Sequence, residues 1–111
     1  MKLMTKELEE AFRKQGSTQD KKEEDILVIA HYFTGSWDWW ATKYDPETRI
    51  FVGLVRGFEV EFGPFSLDEM EEISCDVRPL GGIERDLHWT PVSLAEIRKK
   101  AEQQHYNTGR V

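Results

Sequence analysis

Apolar positions change period several times along the chain, and each change marks an element. Leu8, Ala11 and Phe12 recur at helical spacing behind Thr5, a residue suited to an N-cap, and predict a first helix to about Lys14. Gln15 to Asp25 is polar, contains Gly16-Ser17-Thr18 and a mixed charge run, and reads as a loop. Ile26 to Phe33 is a nearly continuous apolar run, as expected of one central strand buried on both faces. A tryptophan-rich turn follows, Gly35-Ser36-Trp37-Asp38-Trp39-Trp40. Strand patterns then run from Trp40 to Tyr44 and from Arg49 to Arg56, joined by Asp45-Pro46-Glu47-Thr48, where proline presets φ for a turn. Beyond Gly57, Phe58, Val60 and Phe62 alternate with Glu59, Glu61 and Gly63. That period of two predicts a half-buried strand with its acids in water.

Two later helices carry start signals. Ser66-Leu67-Asp68-Glu69 is a capping box with Phe65 and Met70 as its hydrophobic staple, and that helix is expected to reach about Ile73. Ser93-Leu94-Ala95-Glu96 repeats the device with Val92 and Ile97, opening a helix to about Gln104 whose Leu94, Ile97 and Ala101 face inward. Between them lie a loop at Pro79-Leu80-Gly81-Gly82 and a short strand pattern from Ile83 to Trp89. The fold class expected is α+β: a small antiparallel β-meander of about four strands, covered on one face by about three helices.

Composition narrows the class. A chain of 111 residues makes one domain, 1–111, with one modest core. With 39% hydrophobic and 12% aromatic residues it is not disordered by composition. No apolar run approaches the roughly 18 residues that span a bilayer, and Met1 to Glu7 lacks the apolar stretch of a signal peptide. Cys75 is the single cysteine, so the expected location is a reducing cytoplasm. The net charge of −6 is unevenly spread. From Gly57 to Asp76 stand Glu59, Glu61, Asp68, Glu69, Glu71, Glu72 and Asp76 with no lysine or arginine. Such a stretch disfavours a phosphate backbone and suits either solvation or a basic protein partner.

Candidate chemistry is sparse. If Ile83–Trp89 is a strand, Glu84, Asp86 and His88 share a face, about 7 Å apart along it. Asp86 could then orient His88 as a general base. That spacing is too wide for all three to ligate one metal directly without a bend in the strand. His31 lies in the apolar first strand, on the face shared by Leu27, Ile29 and Phe33, and is expected to be buried and hydrogen-bonded to a neighbour. It would join a metal site only if brought beside His88. His105 suits the C-terminal dipole of the last helix. Cys75 stands among acids, which make a poor nucleophile of a thiol, and reads as structural. Gly81-Gly82 lacks the Lys-Ser/Thr of a phosphate loop. No cofactor and no metal site are expected. Trp37, Trp39 and Trp40 serve either as core or as contact surface, with alternation sending Trp39 and Trp40 to opposite faces.

Taken together, Met1 to Leu8, the block Phe33 to Tyr44, Asp45-Pro46-Glu47, Phe58 to Glu69 and Ile83-Glu84-Arg85-Asp86-Leu87-His88-Trp89 resemble the domain of unknown function 2958 family. The resemblance implies a short bacterial protein, commonly carried on plasmids, phages or other mobile elements, and implies no activity. The expected function is a non-catalytic, protein-binding accessory module of a mobile element, one version being an inhibitor of a host defence system. Its surface would comprise Trp37, Trp39, Trp40, Glu59, Glu61, Asp68 and Glu72, and its partner would present a basic face. The alternatives are a small metal-dependent or acid/base hydrolase using Glu84, Asp86 and His88, with His31 as a further candidate, and a single-strand nucleic-acid binder using Trp37 and Trp39. Nucleic acid is disfavoured because Asp38 and Asp45 accompany the one lysine, Lys43, near the tryptophans. The oligomeric state is left open.

Overall fold

A computed structural model of the protein describes residues 2–75 and 82–108, with side chains for 2–73 and 82–103. The readings made for Cys75, for Pro79 to Gly81 and for His105 lie outside these side chains. In chain order the elements are α1 (Lys6–Gln15), a 3-10 turn at Glu23–Asp25, β1 (Leu27–Val28), β2 (Ala30–Thr34), β3 (Trp37–Asp45), β4 (Ile50–Arg56), β5 (Val60–Ser66), α2 (Leu67–Cys75), β6 (Glu84–Arg85), β7 (Val92–Ser93) and α3 (Leu94–Thr108). The fold is α+β. Strands β2 to β5 form an antiparallel meander and β6 adds to the far side of β2, giving the order β5-β4-β3-β2-β6. Strand β5 is thus an edge, and it tolerates Pro64, which could not serve between two neighbours. Strands β1 and β7 make a separate antiparallel pair.

The caps form as their residue types require. The Thr5 hydroxyl accepts the Leu8 N–H at 3.1 Å, and Ser66 and Ser93 accept from Glu69 and Glu96, each at 3.2 Å. Gly16 ends α1 with φ +64°, a conformation that favours glycine.

Three sequence expectations need correction. The run Ile26–Phe33 is not one strand. Leu27 and Val28 pair with β7, whereas Ala30 to Thr34 pair with β3. The neighbours Ile29 and Ala30 both enter the same hydrophobic cluster, which an unbroken strand forbids. The tryptophans do not sit on a turn either. The turn is Gly35-Ser36 alone, with Gly35 at φ +54° as the first central residue of a tight hairpin, and Trp37 already opens β3. Third, helices cover both faces. Phe12 of α1 and Leu67 and Met70 of α2 pack with Tyr32, Ala41 and Phe51, while Leu94, Ile97 and Ala101 of α3 pack with Trp40 and Leu54. Trp40 and Leu54 point opposite to Ala41 and Phe51, so the sheet has two apolar faces, and each needs cover.

A bulge at Thr42 shifts the β3–β4 register between Ala41/Gly53 and Lys43/Val52. Its carbonyl would lack a ladder partner, and Gln15 supplies one. The Gln15 amide donates to Thr42 O at 2.7 Å and to Leu27 O at 2.9 Å, while its oxygen accepts the Leu27 N–H at 2.8 Å. The last residue of α1 therefore fastens β1 to β3. Nearby, β3 and β4 approach so closely that a Cβ on Gly53 would lie 2.0 Å from Trp40 O.

Candidate functional site

Hairpin register places His31 opposite Trp40 and Phe33 opposite Asp38, so His31 and Asp38 are diagonal neighbours on the face covered by α3. His31 Nε2 lies 2.8 Å from Asp38 Oδ1, and its Nδ1 lies 3.0 Å from Asp86 Oδ2. Arg56, opposite Asp38 on β4, donates to Asp38 Oδ2 through Nε at 3.0 Å and through a second guanidinium nitrogen. The chain of charges runs Asp86–His31–Asp38–Arg56. His31 stacks on Trp40 at 5.4 Å and 10° and tilts against Trp89 at 5.2 Å. The Trp89 indole N–H donates to Val28 O at 2.9 Å.

Two carboxylates at the two ring nitrogens call for two N–H donors, which only the imidazolium has. Burial is the largest single influence on His31 and opposes its charge, but the hydrogen bonds to Asp38 and Asp86 together outweigh it and raise the pKa above the usual 6.5. Burial likewise pushes Asp38 upward, and His31 and Arg56 reverse the direction and hold it below the ordinary carboxylate value. Asp86 is also lowered: burial works against ionisation, and His31 and the His88 backbone N–H prevail. With both nitrogens engaged, His31 offers no lone pair to a substrate or a metal. It works here as a rivet.

The triplet from the late run comes apart. Only Glu84 and Arg85 are strand. Asp86 still donates its N–H to His31 O of β2 at 2.9 Å, and the chain then turns away from the sheet as its carboxylate accepts the His88 N–H at 3.1 Å. Glu84 and His88 are exposed, and Asp86 is committed to His31. Among the described residues no three His, Cys, Asp or Glu side chains converge to hold a metal.

The residues expected at a contact surface also separate. Trp40 is 6% exposed and belongs to the core. Glu59 lies just before β5 and Glu61 at its start, whereas Asp68 and Glu72 lie on α2, beyond the other end of that seven-residue strand, about 20 Å along the chain. Asp68 is ion-paired to Arg49 at 2.7 Å. Among the described residues the acidic stretch is therefore two separate groups of charge. Trp37 and Trp39 do share a face, stacked at 5.9 Å and 28°. Trp37 lies flat on Gly57, where a Cβ would come within 2.3 Å of its ring. Phe58, at the tip of the β4–β5 hairpin, meets Trp37 edge-on at 5.3 Å and is 86% exposed. Trp37, Val55, Gly57, Phe58, Glu59 and Glu61 line a shallow cleft of about 290 Å³.

A second, larger cleft of about 610 Å³ lies beside α1, between Phe12, Arg13, Tyr44 and Pro46. It opens on the face away from His31 and is lined by none of the His31 network or the Trp37–Phe58 cluster. Sequence reasoning passed over Asp38, Arg56 and Phe58 as functional residues. A hairpin centred on Gly35-Ser36 would have pointed to Asp38, since it sets that residue diagonally across from His31.

No helix among the described residues is long and apolar enough to cross a membrane. No curated protein and no solved structure matches the chain. One family model does, over residues 3–106. The chain thus belongs to the family described as protein of unknown function DUF2958.

Proposed function

We propose that the protein is a non-catalytic binding module whose contact surface is the end of the sheet built from Trp37, Trp39 and Phe58 and edged by Glu59 and Glu61. The observation that carries this is Phe58, a large apolar side chain held out at a hairpin tip and backed by Trp37. Aromatic anchors with a polar rim are a common composition for protein contacts. Two carboxylates beside the cleft favour a partner that presents lysine or arginine next to an apolar residue. The same carboxylates disfavour a nucleic-acid strand. In the mobile-element setting that the family resemblance implies, a host defence nuclease, with its basic substrate-binding face, is one partner of this chemistry.

Affinity capture from a host lysate with wild type, Phe58→Ser and the pair Glu59→Lys/Glu61→Lys tests the reading. A partner retained by wild type should be lost by both variants and should be released by added salt. Phe58 is so exposed that its replacement should alter stability by no more than about 0.5 kcal/mol, which a thermal melt checks. Retention of the same proteins by all three chains would overturn the proposal.

A further inference from the structure

The Asp86–His31–Asp38–Arg56 chain joins three strands to a turn, and its ends are unequal. Asp38 is held from two sides, by His31 and by Arg56. Asp86 has one ring nitrogen and the His88 backbone N–H, and its side chain is 28% exposed against 13% for Asp38. A neutral imidazole has a single N–H. On losing a proton it must turn a lone pair toward one of the two carboxylates. Only Asp86 can respond by rotating into water, because Asp38 is buried and remains tied to Arg56.

We propose that His31 is a proton-operated latch: as its imidazolium gives up a proton, Asp86 lets go and the Asp86–Trp89 turn loosens from the sheet, while the Asp38–Arg56 pair stays in place. The charged groups facing the ring are Asp38 from β3 and Asp86 from the turn. Arg56 of β4 meets the ring through Asp38 and through Trp40, over which its guanidinium lies 5.9 Å from the ring centroid, and His88 meets it through Asp86. Phe33, Trp40 and Trp89 are its uncharged neighbours, and α3 presents Leu94, Ile97 and Ala101 to this face. The turn carries Leu87, 60% exposed, and borders a cleft of about 230 Å³ with Phe33 and Glu84. Release of the turn reshapes that cleft. The latch is independent of the sheet-end surface.

Amide and indole hydrogen exchange of the wild-type protein, followed by NMR from about pH 6 to about pH 9, reads the latch directly. Rates are taken relative to those of unstructured peptides, so the general rise of exchange with pH cancels. Protection of the Trp89 indole N–H and the His88 amide should fall about tenfold, as for one lost charge-assisted hydrogen bond. The midpoint should match that of the His31 ring protons, and the Arg56 Nε–H should keep its protection. In Asp86→Asn the turn should be less protected throughout, with no step. A midpoint of turn release that differs from the His31 ring's own titration would overturn the proposal. So would flat protection through the His31 titration, a step that persists in Asp86→Asn, or earlier loss at Arg56.

Discussion

At the scale of single residues, three carboxylate and imidazole groups set the pH response. His31 has a raised pKa, so the stability it contributes is complete below the usual 6.5 and is lost as pH climbs through the folded value. Asp38 and Asp86 are lowered, so their contribution is complete above the usual 3.8 and is lost as pH falls through the folded values. Urea unfolding across pH should therefore show greatest stability between these two limits, with a separate decline on each side. Asp38→Ala should cost about 3 kcal/mol near neutral pH, because it leaves His31 and Arg56 without their shared carboxylate in a largely buried place. It should also shrink the alkaline decline, since Asp86 alone then favours the imidazolium. A monotonic profile in the wild type would contradict both expectations. Half of this network was legible in the sequence. Once Gly35-Ser36 is taken as a two-residue hairpin, His31 and Asp38 follow by counting. Asp86 does not, since it comes from 55 positions away and its placement depends on β6 docking beside β2.

At the scale of elements, local signals were reliable and non-local ones were not. All three helices begin at the side chains that announce them, because an N-cap is satisfied within three residues. The division of Ile26–Phe33 into β1 and β2 is different in kind. It depends on β7, some 60 residues later, which takes Leu27 and Val28 for its own ladder. Gln15 belongs to the same class. As the first residue of a polar loop it looked incidental, yet it ends α1 and its one amide serves three backbone groups on two strands. Gln15→Leu, nearly equal in size, should leave the bulge carbonyl and the Leu27 amide without these partners. Chemical denaturation should record a loss of about 2 kcal/mol. Gln15→Glu should restore only the bond that the oxygen accepts and should recover part of the loss. Full stability in the leucine variant would mean that the bulge holds itself.

At the scale of the whole molecule, the two-sided sheet explains why the tryptophans divide their work. Trp40 enters the α3 core, Trp89 closes over His31, and Trp37 and Trp39 remain half-buried toward the end of the opposite face, next to Phe58. An aromatic cluster read along the chain looked like one patch. Strand alternation sorted it onto opposite sides. The acidic stretch was sorted in the same way, by the length of β5. What the sequence could not disclose is which parts of a run share a surface once strands and helices intervene.

Pro64 carries one last consequence. A polypeptide seeking to lengthen the sheet beyond β5 would meet a backbone nitrogen with no hydrogen to offer, midway along the rim. Self-templated stacking of copies is thereby discouraged, and any visitor must be held by side chains. Pro64→Thr should restore the missing donor and make the protein more prone to associate with itself, visible as rising light scattering with concentration.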